Sequence, residues 1–123
     1  MYFGKPIQRV EDEKFLTGGG SYTDDIKLPG TAHGYFLRST RAYARILRID
    51  KAAAQASPGV LAVLTGADAL NAGLGKFVVW SPVKSTDGTT RAQTAQFPLT
   101  YDVVRYVGEP IVFVVADSKQ QAL

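Results

Sequence analysis

Cysteine is missing from this 123-residue chain and histidine occurs once. The first absence excludes a disulfide framework, thiolate metal sites, iron–sulfur ligation and a cysteine nucleophile within the chain. The second leaves His33 without a second histidine or a cysteine nearby in sequence, so a structural or surface role is expected for it rather than that of a base or a ligand. Long apolar runs are also missing. No segment approaches the roughly 20 apolar residues that span a bilayer, and the opening MYFGKPIQRVEDEK has no apolar stretch long enough for a secretory signal. A cytoplasmic chain without a membrane span is the expectation. Excess charge of either sign is slight: the net charge of +3 gives a field too weak to argue for a polyanionic partner, and no nucleic acid is expected.

What is present is the composition of an ordinary globular protein, 46% hydrophobic and 20% charged, enough apolar surface to offset the entropy of ordering the chain. The length fits one domain, with a core that hides roughly two thirds of the unfolded chain's surface.

Residues 17 to 30 are dense in Gly, Ser, Thr, Asp and Pro, which predicts an extended loop or turn region. From Thr31 to Arg38 the side chains alternate, with His33, Tyr35 and Leu37 on one side of a strand and Ala32, Gly34 and Phe36 on the other. The next segment has two readings. Arg38, Arg41, Arg45 and Arg48 recur at helical spacing opposite Tyr43, Ile46, Leu47 and Ile49, as in a basic amphipathic helix, yet Ala44 to Ile49 also reads as a strand. Asp50 suits the cap of a short helix over Lys51 to Ala56, ended by Ser57, Pro58 and Gly59. Val60 to Thr65 is a compact apolar strand, followed by a turn or short helix over Gly66 to Leu70. Phe77 to Trp80 reads as a strand. Ser81 to Gln96, with Asp87 and Gly88, reads as a hairpin tip or mobile loop. Val103 to Val107 and Ile111 to Ala116 are the last strands, joined through Gly108, Glu109 and Pro110. Connections this short predict an α+β fold with a mixed or antiparallel sheet and short helices. Asp117 followed by Gln120 is close to a capping box, so SKQQAL reads as the start of a helix. About six residues without a carboxyl-terminal cap are too few for a persistent helix, which predicts that residues 1–123 are a single domain cut within its last helix.

Few residues invite a chemical role. The glycines Gly18, Gly19 and Gly20 lack the following Lys-Ser or Lys-Thr of a phosphate loop and the strand–turn–helix setting of a dinucleotide fold, so they predict a close backbone approach, in a tight turn or against a neighbouring domain. Asp24 and Asp25 are adjacent, hence on opposite sides of an extended chain, and are expected to bond loop amides rather than form an acid pair. Glu109 could serve as a general base if burial raised its pKa, but a turn residue that shapes or docks a sheet edge is the expected role. The four arginines would make a phosphate-tracking face only on a helix. The aromatics Tyr2, Phe3, Tyr43 and Trp80 are expected in the core or between domains rather than as a base-stacking platform.

One further pattern runs through nearly the whole chain. Arg9, Glu11, Asp12, then Leu16, Thr17, Gly18, are followed by Tyr22, Asp24, Asp25, Ile26, Leu28, Pro29 and Gly30, by TAHGYFLRS, by Ala44, Arg45, Ile46, by Ile49, Asp50, and by Pro58, Gly59, Val60 leading into LAVLTGAD. Val104, Arg105, Tyr106, Val107, Gly108, Glu109, Pro110 and IVFVVAD complete it. In order and spacing this resembles the amino-terminal α/β hammerhead domain of the large subunit of molybdenum hydroxylases, the family of xanthine dehydrogenase, aldehyde oxidase and aerobic carbon monoxide dehydrogenase. The chain departs from that pattern at Gly19 and Ser21, where the family often has basic residues, and at Ser39, Thr40, Arg41, where many relatives read Ser-Pro-His.

The resemblance favours a strand at Ala44 to Ile49. It implies a scaffold domain with no catalytic, cofactor or metal site of its own, and structural or interface roles for Gly18, Gly19, Gly20, Asp24, Asp25, Arg45, Gly108, Glu109 and Pro110. It also implies a parent enzyme carrying a molybdenum–pterin centre, with iron–sulfur clusters and FAD in partner subunits or domains, oxidising an aldehyde, a purine or carbon monoxide with water. The remaining domains of the subunit and the iron–sulfur and flavin subunits would be the partners, in an oligomeric parent. The competing expectation is a free-standing binding module that uses Arg38, Arg41, Arg45 and Arg48.

Overall fold

The computed structural model describes residues 3–78, 83–90 and 94–123. The chain divides into two compact units, Met1–Thr31 and Ala32–Leu123.

The first unit is held by local bonds. A short helix, α1 (Asp12–Leu16), opens with Asp12 and Glu13 near its free amides and ends at Gly18, whose φ is +75°. There the amide of Gly18 donates to Phe15 O at 3.3 Å and that of Gly19 to Lys14 O at 2.8 Å. This crossed pair closes a helix through a left-handed glycine, a backbone state that a Cβ disfavours. The loop expected over residues 17 to 30 therefore begins as a helix cap, and a helix precedes it that the sequence reading did not foresee. Five helical residues are too short for apolar periodicity to register, and local capping decides them. Gly20 lies under the Phe15 ring, where an added Cβ would sit 2.5 Å from Cδ1, and Phe15 stacks on Tyr22 with centroids 5.4 Å apart. A single 3-10 turn, Thr23–Asp25, follows. No described residue of this unit is buried.

The second unit is organised by two antiparallel sheets. The larger contains β1 (His33–Arg38), β3 (Val60–Thr65) and β5 (Pro110–Ala116) in the order β1-β5-β3. The smaller pairs β2 (Ala44–Arg45) with β4 (Val103–Val104). The expected choice between mixed and antiparallel thus resolves to antiparallel. β5 occupies the centre because its run of Ile, Val and Phe suits a strand with neighbours on both sides. Register places Tyr35, Val63, Val112 and Val114 on one face, with Phe36, Leu64 and Phe113 on the other. On that second face Phe36 and Phe113 pack with centroids 4.5 Å apart, and the tip of the Phe113 ring covers Gly34, leaving no room there for a Cβ.

Two short helices flank β3. Helix α2 (Ala52–Gln55) precedes it, and α3 (Gly66–Asn71) follows directly and ends at Gly73, φ +84°, with the same crossed bonds as α1, Gly73 to Leu70 O and Leu74 to Ala69 O. Among the described residues the buried apolar ones are few and mostly small: Val63, Ala69, Leu99, Val104, Val112, Ala116 and Ala122. Every residue of β1 is exposed.

Several expected boundaries move, each for a local reason. Asp50 does accept from the amide of Ala52 at 3.2 Å, but the cap position falls to Lys51 and the helix starts one residue later. The strand expected over Ala44 to Ile49 stops at Arg45, because its partner β4 is only two residues long. β4 in turn ends at Val104 instead of Val107, since the amide of Arg105 is diverted to a carboxylate of Glu109. At the carboxyl terminus Ser118, not Asp117, caps α4 (Lys119–Ala122), accepting from the amide of Gln121. Phe77 and Val78 are irregular, with Phe77 N donating to Gln96 O at 2.8 Å; the rest of the strand expected there, Val79 and Trp80, lies outside the described residues. The hairpin tip expected within Ser81 to Gln96 forms at Ser85 to Thr89. Gly88, φ +80°, donates to Ser85 O, and a bridge joins Lys84 to Thr90. Ser81, Pro82 and residues 91–93 lie outside the described residues.

Candidate functional site: the Glu109 turn

Among the charged side chains of the described residues, Glu109 alone combines deep burial with a polar network across its own turn. It is 3% exposed, and its partner Thr100 is fully buried. Thr100 Oγ1 donates to Glu109 Oε1 at 2.6 Å, and the backbone amide of Arg105 donates to Oε2. Burying a carboxylate away from water is costly unless its oxygens are bonded, and here each oxygen has its own donor. The turn is further tied by its backbone: Ser39 N donates to Glu109 O at 2.8 Å, Gly108 N to Ser39 O at 2.8 Å, and Thr100 N to Pro110 O at 2.9 Å. Gly108, φ +92°, supplies the reversal that aims the next side chain inward. Pro110 opens β5 opposite Arg38, where the register shifts and a missing amide costs no ladder bond.

The Glu109 carboxylate thus ties the chain entering β4 to the exit from β4, and the backbone of the same turn ties in the end of β1. With both oxygens engaged by structural donors it has the connections of a keystone, and none of them reaches a second acid or a histidine. Glu109 sits in the turn between β4 and β5, and the donors Thr100 and Arg105 are partners that sequence reading missed. Nothing in the local pattern signals them, although Thr100 lies nine residues and Arg105 four from Glu109, because the path of the turn between them decides that both donors face its carboxylate.

Arg38 adds a further tie, its Nη1 donating to Gly108 O at 2.9 Å while its guanidinium lies 5.4 Å from the centre of the Phe36 ring. The other arginines of the expected basic face are separated from it. Arg45 sits in β2, Arg48 pairs with Asp50, and Arg41 bonds through its backbone to Ser39, so the four do not share a helix face. His33 is an exposed residue at the start of β1. Gly18, Gly19 and Gly20 are drawn into the helix cap and the ring packing described above. Asp25 bonds a loop amide as foreseen, accepting from Tyr22 N at 2.9 Å, and shares its 3-10 turn with Asp24 instead of an extended strand. Of the aromatics expected in the core or between domains, Phe3 and Tyr43 are exposed, and Tyr2 and Trp80 lie outside the described residues.

A second polar centre was not foreseen. Asp68, at the start of α3, accepts from Thr65 N at 2.8 Å, Thr65 Oγ1 at 2.7 Å and Lys51 Nζ at 2.7 Å. These bonds, led by that from Lys51, hold its carboxyl at a pKa of about 2, below the ordinary 3.8. The signal was available: Thr65 and Asp68 form a capping box across the strand–helix junction. Close by, Gly66 presses on the backbone of Leu99 and Thr100, with 2.7 Å between its would-be Cβ and Leu99 O. An apolar cleft of about 390 Å³ opens beside α3, lined by Phe36, Leu64, Leu74, Phe77, Leu99 and Phe113. No helix among the described residues is long and apolar enough to cross a membrane.

Comparison with known proteins places this architecture. The family model for the a/b hammerhead domain of aldehyde oxidase and xanthine dehydrogenase matches residues 17–123. The chain is 42% identical over 119 residues to the nicotine 6-hydroxylase large subunit of Paenarthrobacter nicotinovorans, a match that covers 97% of the chain and 14% of that protein. It is 40% identical to the carbon monoxide dehydrogenase large chain of Afipia carboxidovorans, covering 94% of the chain and 13% of that protein. Among solved structures, quinoline 2-oxidoreductase from Pseudomonas putida 86 superposes with a TM-score of 0.79 at 40% identity, over 99% of this chain and 15% of that one. The chain thus spans about one seventh of the length of these relatives, and it belongs to the family of aldehyde oxidase and xanthine dehydrogenase a/b hammerhead domains.

Proposed function

We propose that the chain is a scaffold domain, itself non-catalytic, at the amino-terminal end of the large subunit of a molybdopterin-dependent oxidoreductase. The parent oxidises or hydroxylates a small substrate such as an aldehyde, a purine or carbon monoxide, with water as the oxygen source. The observation that carries this reading is the use made of Glu109: the one deeply buried carboxylate among the described residues spends both oxygens on Thr100 and Arg105, inside a fold shared with subunits about seven times longer.

The described residues do not fit a metal or pterin seat. The amides of Gly18 and Gly19 donate within their own helix cap, and the described residues hold no cluster of three His, Cys, Asp or Glu. On this reading the molybdenum–pterin centre lies in the rest of the large subunit, and iron–sulfur clusters and FAD in partner subunits or domains of an oligomeric, cytoplasmic parent. Many large apolar side chains of the sheet, including Tyr35, Phe36, Leu37, Leu61 and Leu64, stay exposed in this chain, as expected of a surface made to face more protein.

The test separates scaffold from site. The full-length protein should contain molybdenum and reduce an electron acceptor with one of these substrates, while residues 1–123 alone should do neither. Turnover by residues 1–123 alone overturns the assignment.

A further inference from the structure

We draw no further inference here: the strongest candidate, the apolar cleft beside α3 lined by Phe36, Leu64, Leu74, Phe77, Leu99 and Phe113, carries nothing because nothing in the structure shows what covers it.

Discussion

Residues 3–31 and residues 32–123 reach order by opposite routes. In the first stretch almost every hydrogen bond closes within five residues: the crossed cap of α1, the bond from Tyr22 N to Asp25, the bond from Thr31 Oγ1 to Leu28 O. In the second, strands far apart in sequence pair across β5, and the backbone of the Glu109 turn bonds Ser39 at the end of β1. Local bonds specify a backbone path without burying apolar surface, so they give shape but little cooperative stability. Long-range pairing does the reverse, since each contact stabilises the others.

The sharpest way to break that contrast is to remove the keystone. Glu109→Ala leaves the buried Thr100 Oγ1 and the half-buried Arg105 amide without an acceptor and is expected to destabilise the second unit by about 3 kcal/mol. Urea denaturation followed by circular dichroism measures it, and a change below about 1 kcal/mol would remove the keystone role. Gly66→Ala comes next. Its Cβ would meet backbone atoms of Leu99 and Thr100 within 2.8 Å, atoms that cannot rotate away, so a loss of about 2 kcal/mol is expected in the same assay.

Gly18→Ala tests the other side of the comparison. Placing a Cβ at φ +75° should cost about 1 kcal/mol in the α1 cap. Hydrogen exchange should quicken at the amides of residues 18 and 19 while those of β5 keep their protection. If β5 exchange rises equally, the two stretches are not separate in stability.

The pH response sharpens the picture inside the second unit. Asp68 has a folded pKa of about 2 against an ordinary 3.8, so its contribution is complete above the higher value and is lost as pH falls towards the lower. Its side chain is 34% exposed, and screening by water keeps the effect below about 1 kcal/mol. The stability difference between the wild type and Asp68→Asn should therefore be present at pH 5 and shrink as the pH falls towards 2, as read from urea midpoints at several pH values. A difference that stays constant would show that the ionised carboxylate is not what matters. Smallest of all is the Arg48 and Asp50 pair, whose side chains are 78% and 58% exposed. Arg48→Ala should change stability by less than about 0.5 kcal/mol, measured by the same denaturation.

The sequence alone determined the strands β1, β3 and β5, because alternation and apolar runs are properties of neighbours along the chain and need no partner to be read. It likewise narrowed the segment around Asp87 and Gly88 to a hairpin tip or mobile loop and the sheet to mixed or antiparallel, and the ordered motifs from Arg9 to Asp117 carried the family. What only the tertiary structure decided lies where one group has two possible partners. The amide of Arg105 could have continued a strand and instead serves Glu109, and Lys51 could have been a solvated residue and instead holds Asp68. Ser118 takes the cap that Asp117 offered equally well on local grounds. Such choices are settled by which acceptor the fold brings within hydrogen-bonding distance, and that distance is a property of the folded chain rather than of residue spacing.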